Sequence, residues 1–292
     1  MTPTSSLPDP GESLFAVLVL YQQSLEQSAT FQSLTSAARK LPLPLPLLVY
    51  DNSPTPMGRP AAGSYPGWDI RYVHDPSNPG ISQAYVTGAR MAALQSKRWL
   101  LLLDQDTRFA PDALAKYIGA IQRHSEVRLF APILRSGERV LSPCVYRFKL
   151  GFPAPRVRPG AQSLAGLSVL NSGMCVSVQD YLAVGGHDVR IALDFADHEF
   201  IERFKQRYDT FVVVDTECAH DFFRVTTLST ASHLARFRFY CRGARYASKG
   251  LMDGILTAGV VGARACVLSV RHGSVGFLRV AADSLLGRNP RY

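Results

Sequence analysis

Trp99-Leu-Leu-Leu-Leu-Asp-Gln-Asp-Thr107 decides how this chain is read. Four consecutive leucines are too few for a membrane span and suit a strand buried on both faces. That strand runs straight into Asp104-Gln105-Asp106. Two carboxylates one residue apart, at the mouth of a buried strand, are costly to keep there without a cation. Open α/β sheets place ligands at this edge, and Mg²⁺ or Mn²⁺ prefers carboxylate and phosphate oxygens. The plain alternative is an Asp-rich turn capping a helix that begins near Pro111.

Upstream, Leu14 to Leu20 is an apolar, β-rich run ending at Tyr21-Gln22, a first buried strand. Leu25, Ala29, Leu34 and Ala38 predict a helix over 24–41. Leu47 to Tyr50 is a second strand that enters Asp51-Asn52-Ser53, and Asp69 to His74 a third. A helix over 81–95 precedes the central strand. Four strands alternating with helices in about a hundred residues predict a parallel sheet with helical crossovers. No Gly-x-Gly-x-x-Gly follows the first strand, and no Gly-x-x-x-x-Gly-Lys-Ser/Thr occurs anywhere, which removes dehydrogenases and P-loop enzymes. Asp51, after the second strand, is either a turn residue or an acceptor for a nucleotide base N–H. In Asn78-Pro-Gly-Ile-Ser82, Gly80 sits before the helix, while Ala84 and Gly88 keep one of its faces small. That helix start suits phosphate, and the same small residues suit tight packing on the sheet.

Downstream, a helix over 111–125 and a strand over 127–134 are followed by an irregular stretch over 135–165. Two strand-like pieces then pivot at Asn171-Ser172-Gly173, and 180–184 forms a short helical turn. A helix opens at Asp194-Phe-Ala-Asp-His-Glu199 and runs to about Tyr208, with Asp197 and Glu199 suiting its dipole. A strand over 211–215 precedes His220-Asp221.

Composition sets the bounds. With 292 residues, 47% of them hydrophobic, the chain can bury a full core in one large domain plus an appendage. A formal charge of +9 implies an anionic partner: nucleic acid, nucleotide phosphates or an acidic membrane face. Five scattered cysteines without a Cys-x-x-Cys pair argue against a disulfide framework or a zinc site and fit a reducing cytosol. Residues 1–13 read as a flexible, Pro-rich N-terminus with no signal-peptide pattern. No stretch reads as the roughly 20 apolar residues needed for a span. The closest, Ile255 to Val270, is broken by Gly259, Gly262 and Arg264.

Taken in order, Asp51, Asn78-x-Gly80, Asp104-Gln-Asp106, Asn171-Ser-Gly173, Asp197-His-Glu199-Phe200 and His220 resemble the family 2 inverting glycosyltransferases of the GT-A fold. Leu-Asp-Gln-Asp-Thr107 with Asn-Pro-Gly-Ile-Ser82 is most similar to bacterial rhamnosyltransferases of surface-polysaccharide (O-antigen, lipopolysaccharide) assembly. The resemblance implies an α/β fold with a mostly parallel sheet, a catalytic domain over 14–224 and a helical extension over 225–292. It implies a dTDP- or UDP-linked sugar donor, Mg²⁺ or Mn²⁺, a saccharide or lipid-linked saccharide acceptor, and no nucleic acid. Donor contacts fall on Tyr21, Asp51, Asn78, Gly80, Asp104, Gln105 and Asp106. Asp104, Asp106 and His220 would hold the metal, with Asp221 orienting the His220 ring. Asp197 would be the catalytic base, and the acceptor would meet Asn171, Ser172, Gly173, Asp194, His198 and Glu199. The Gln-x-x-Arg-Trp motif of processive synthases is missing, so single or few additions are expected. A cytoplasmic location, peripheral on the inner face of a bacterial plasma membrane, is expected with it.

Two other classes compete. A nucleotidyltransferase would carry a Gly-rich basic loop after the first strand, where Tyr21-Gln-Gln-Ser24 stands instead. A basic nucleic-acid-binding protein would cluster Arg and Lys with exposed aromatics on one surface, whereas here they concentrate near the C-terminus. There, Arg238, Arg242, Arg245 and Lys249 fall on one helix face and Phe237, Tyr240, Ala244, Ala247 and Leu251 on another. Such a helix either meets an anionic membrane or packs on the catalytic domain with a solvated basic face.

Overall fold

The structure, a computed structural model, describes residues 12–220 and 229–287. The expected flexible N-terminus, apart from Glu12 and Ser13, and Asp221 lie outside those residues. In chain order the elements are β1 (Leu14–Leu20), α1 (Ala29–Ala38), β2 (Leu45–Asp51), β3 (Trp68–His74), α2 (Ile81–Leu94), β4 (Trp99–Asp104), β5 (Thr107–Phe109) and α3 (Ala113–Arg123). There follow β6 (Leu129–Ser136), β7 (Arg139–Ser142), β8 (Cys144–Arg147), β9 (Leu150–Pro153), β10 (Gly160–Ser163), β11 (Leu167–Ser168) and β12 (Cys175–Ser177). The chain then forms α4 (Val178–Ala183), α5 (Ala196–Phe204), β13 (Thr210–His220), α6 (Thr230–Ala247), α7 (Leu251–His272) and α8 (Gly276–Leu285).

The main sheet runs β10-β13-β6-β12-β4-β1-β2-β3. β3, β2, β1 and β4 are parallel neighbours, as the βα alternation predicts. β12 enters antiparallel between β4 and β6, and β13 lies parallel to β6. The α/β expectation with a mostly parallel sheet therefore holds. β8 and β9, from the stretch read as irregular, form a separate small sheet with β11, from the strand-like piece that follows it.

β1 shows why the core has two faces. Leu14, Ala16, Leu18 and Leu20 point to the side covered by α1 and α3, through Phe31, Leu34, Leu114 and Tyr117. Phe15, Val17 and Val19 point to the side covered by α2, α4 and α5, through Tyr85, Ala89, Tyr181 and Phe200. A strand buried on both faces has no polar position to spare, hence its unbroken apolar run.

α2 packs tightly enough to dictate its glycines. A Cβ on Gly88 would lie 2.0 Å from Val17 Cγ2. Gly80 has φ +91°, and a Cβ there would lie 2.0 Å from the Ala192 carbonyl oxygen. The Ile81 N–H donates to that carbonyl (2.8 Å), and the Ser82 hydroxyl donates to Ile191 O at 2.5 Å. The first N–H of α2 therefore goes to the 191–192 backbone. Gly80→Ala meets both strain and a backbone clash, so it should destabilise the fold by more than about 1 kcal/mol. Urea unfolding of the variant checks this, and an unchanged midpoint would refute it.

The C-terminal helices share a third apolar cluster with Ile191, Phe195 and Ala196. On α6, Phe237, Tyr240, Ala244 and Ala247 are buried there, as one of the two expectations had it. Burying one large apolar side chain gives about 1.5–3 kcal/mol, against about 1 kcal/mol per cation near an anionic surface. Packing decides where this face of α6 goes. The expected basic stripe is shorter than read: α6 ends at Ala247, so Lys249 and Leu251 lie beyond it. α7 also overturns an expectation. It runs unbroken through Gly259, Gly262 and Arg264, and by length and composition it is long and apolar enough to cross a membrane.

Candidate active site

The Asp104-Gln105-Asp106 turn is gripped from α1 and from the end of β1. The Thr30 hydroxyl donates to the Asp104 carbonyl, and to Thr107 O at 2.8 Å, while the Ser28 hydroxyl donates to Gln105 O (2.9 Å). Gln105 uses its side chain on the neighbouring loop: Tyr21 N–H donates to Oε1 (2.8 Å) and Nε2 donates to Tyr21 O (3.2 Å). The amide expected to touch a donor is a clasp between the β1 exit and the carboxylate turn. The Tyr21 ring itself is exposed beside it.

The two carboxylates of the turn diverge. Asp104 faces inward: Tyr85 Oη donates to Oδ1 (2.7 Å), and the Ser172 hydroxyl donates to Oδ2. With a protein donor on each oxygen, Asp104 is held in place between Tyr85 and Ser172. Asp106 faces His220 instead, with Oδ1 3.5 Å from Nδ1. This pairing comes from the sheet. β5 and β13 are antiparallel with Thr107 opposite His220, and Thr107 Oγ1 lies 3.0 Å from His220 Nδ1. β13 was expected to stop at Asp215, with His220 reached through a loop; in the structure the strand itself carries His220 to this edge.

Asp51, expected at a base, is fully buried at the end of β2. Its carboxylate accepts the N–H groups of Ser53 (2.9 Å) and Met57 (2.8 Å) and the Tyr72 hydroxyl. Burial by itself raises its pKa, but these hydrogen bonds outweigh it and hold the carboxyl below its ordinary value. Through these contacts Asp51 organises the loop over 52–57. Asn78 takes a left-handed conformation (φ 47°) in the turn before Gly80.

The Asn171-Ser172-Gly173 turn lies under Asp104. Ser172 touches its carboxylate, while Gly173 (φ +86°) gives its N–H to Leu102 O (2.9 Å) and accepts the Tyr117 hydroxyl. Asn171 is buried, with Oδ1 2.9 Å from His187 Nε2. His187 is fully enclosed, its Nδ1 2.9 Å from Tyr181 Oη and its ring stacked on Phe200 (4.7 Å). Burial, then the Arg203 charge, lowers its pKa to about 3.

Three acidic side chains open α5. Glu199 is buried in a bidentate pair with Arg203 (2.8 and 2.7 Å), with Lys249 3.3 Å away. Asp194 lies 3.7 Å from Arg236. Asp197, among the described residues, alone of the three has no cationic partner; its Oδ1 accepts the His198 N–H (2.8 Å). Desolvation, reinforced by the Asp104 and Asp194 charges and opposed by His198, raises its pKa. A carboxylate so placed is a stronger base than one in water. His198 stacks on Tyr146 (4.1 Å), with its Nδ1 2.7 Å from Ser168 Oγ. The residue before this helix, Phe195, is held at φ +73°, a conformation that costs a non-glycine residue about 1–3 kcal/mol.

Tyr85, Tyr146 and His187 were not foreseen. Tyr85 was the findable one: it shares an α2 face with Ile81, Gly88 and Ala92, and a phenol on a core-facing stripe needs a partner for its hydroxyl.

Residues 26–162 match the family model described as Glycosyl transferase family 2. That match covers just under half of the 292 residues. The match includes Asp51, Gly80, Asp104 and Asp106, whereas Asn171, Asp197 and His220 lie beyond it. No curated protein sequence matches the chain. Its fold, GT-A, is shared with solved structures of low identity. GalNAc-T7 with UDP, GalNAc and Mn²⁺ has a TM-score of 0.54 at 12% identity, over 95% of this chain and 58% of that one. The mannosyltransferase PcManGT from Pyrobaculum calidifontis, in complex with GDP-Man and Mn²⁺, has 0.53 at 13%, over 98% and 90%. S. aureus TarS has 0.52 at 12%, over 95% and 54%. The chain thus spans little more than half the length of GalNAc-T7 and of TarS.

Proposed function

We propose that the enzyme moves a sugar from a nucleotide-diphosphate donor to an acceptor hydroxyl by a single inverting displacement, with Asp197 as general base. The observation that carries this reading is the contrast among the α5 carboxylates. Glu199 and Asp194 have cationic neighbours, while Asp197 is desolvated and lacks one among the described residues. It can take the hydroxyl proton as the acceptor oxygen attacks the anomeric carbon, and one base without a carboxylate nucleophile suits one displacement.

Asp106 and His220 fit a divalent cation: a carboxylate and an imidazole, 3.5 Å apart at the sheet edge, form a donor pair more natural for Mn²⁺ than for Mg²⁺. Among the described residues no group of three His, Cys, Asp or Glu side chains converges. Donor phosphate oxygens would therefore complete the coordination of a cation held by these two residues. Such an ion neutralises charge on the departing diphosphate. The structures with UDP-GalNAc components, GDP-Man and Mn²⁺ support a nucleotide-sugar and metal of this kind. The Leu103–Thr107 and Asn78–Ser82 segments favour dTDP-rhamnose as donor and a surface-polysaccharide acceptor, in work done at the cytoplasmic side of the membrane. A binding panel of nucleotide sugars tests the donor, and preference for another sugar refutes it.

His220→Ala should weaken Mn²⁺-dependent donor binding by at least the roughly 10- to 100-fold that losing an outer-shell partner costs, and leave metal-free nucleotide binding unchanged. Titration calorimetry with and without Mn²⁺ reads both. A Mn²⁺ affinity equal to wild type would show that His220 is no ligand.

A further inference from the structure

Helix α7 buries Thr257, Val261 and Ala265 against its neighbours and turns a different face to solvent. That outer face carries Leu251 (80% exposed), Met252, Ile255, Leu256, Val267 and Val270 (86% exposed). Twenty-two helical residues make this stripe about 33 Å long. Its apolar character continues onto the β8–β9 hairpin, whose tip exposes Phe148 (66%), Leu150 and Phe152. Lys149, in that tip, joins the two: its Nζ lies 2.7 Å from Asp253 Oδ2 and donates to Ala247 O at 3.1 Å. The hairpin therefore sits against the first turn of α7. An exposed apolar surface built from two separate elements marks an interaction site more than it marks chance.

Charge says what covers it. From Arg139 to Gln179 the sequence has five Arg or Lys and no Asp or Glu; from Ser229 to Gly287 it has eight against two Asp. Arg147, Arg156, Arg158, Arg242, Arg245, Arg271 and Arg279 are exposed. We propose that the α7 face and the hairpin tip dock in the plane of an anionic lipid bilayer, apolar side chains among the acyl chains and these cations at the headgroups. A second copy of the chain is a poorer occupant, since pairing two such surfaces sets like charges against each other. A transmembrane course is also disfavoured. α7 is packed on α6 and α8 through Val261 and Ala265, and it carries an exposed cation, Arg264, beside the Tyr240 ring (4.1 Å) near its middle.

Docking on this face has a consequence for the site. Tyr146, in β8 of the same hairpin, stacks on His198, the neighbour of Asp197. The bilayer then lies on the side from which a lipid-linked saccharide would reach Asp197. That last step rests on the function proposed above; the docking itself does not.

Vesicle flotation of the full chain tests it, with phosphatidylcholine alone and with phosphatidylcholine plus phosphatidylglycerol. The chain should float with the anionic vesicles, weakly with the neutral ones, and less as salt rises. Met252→Asp/Ile255→Asp and Phe148→Ser/Phe152→Ser should each lower partitioning by roughly 10-fold or more. Both pairs are exposed, so circular dichroism and transfer to a water-soluble saccharide should stay at wild type. Unchanged flotation in both variants overturns the proposal. So does a dimer by light scattering that the α7 variant returns to monomer, since the face is then a self-interface. Flotation lost as expected, with no transfer to any acceptor by the wild type, would sustain the docking and remove the catalytic reading.

Discussion

Asp197→Asn lowers turnover by about 10²- to 10⁴-fold, the usual contribution of a general base, and leaves donor affinity nearly intact. The substitution is close to isosteric, and its amide oxygen can still accept the His198 N–H that now meets Oδ1 at 2.8 Å. No ion pair is lost, so the loss is confined to proton removal. The same group sets the pH profile. Its folded pKa is raised, by desolvation first, and the base must be deprotonated to act. Activity should therefore fall with decreasing pH through a midpoint above that of an ordinary aspartate, and the Asn variant should lack this limb. Steady-state kinetics across pH with calorimetric nucleotide binding measure both. Full activity of the variant moves the role elsewhere, to Asp194 first, because Glu199 is tied to Arg203.

Acidification destabilises the folded protein well above the range where ordinary carboxylates titrate, through His187. Its pKa falls to about 3 in the fold through burial and, secondarily, the Arg203 charge, against roughly 6.5 in the unfolded chain. The sign follows from linkage: below about pH 6.5 the unfolded state binds a proton that the folded state refuses. The stabilisation is complete above about pH 6.5 and shrinks by about 1.4 kcal/mol per pH unit down to about pH 3. Asp51 and Asp75, whose folded pKa values are lowered, lose their contribution only below the normal carboxylate pKa. Between about pH 6.5 and 4.5 His187 destabilises, with a smaller share from His233, while Asp197, whose folded pKa is raised, takes up a proton in the fold and opposes it. Urea unfolding at several pH values should show the slope, and His187→Gln should flatten it. An equal slope in the variant would assign the effect to other groups.

What could be read beforehand depended on how local each cause is. The apolar runs of β1 and β4 announce two-sided burial by themselves, and Pro and Gly punctuate the helices around them. The carboxylate turn was legible as a site for the same reason. Its internal division was not, because Asp104 turns inward for Tyr85 and Ser172, 19 and 68 residues away in the chain. Similarly, β13 reaches His220 only because β5 pairs with its end, and nothing near Asp215 signals that continuation. α7 was misread on its glycines. Gly259 and Gly262 weaken a helix modestly, and twenty apolar-rich neighbours outweigh them.

The antiparallel entry of β12 between β4 and β6 bears on how this protein is born. While the chain emerges from the ribosome, β1 can pair with β4 at once, but the other edge of β4 has no partner until residues 175–177 are made. At about 5–20 residues per second, the roughly seventy intervening residues keep that edge bare for some 4–15 s. A bare apolar edge is an aggregation template, and Ser172, which anchors Asp104, arrives in the same late stretch. A fragment stopped at residue 162, where the family match ends, would stay in this one-sided state permanently.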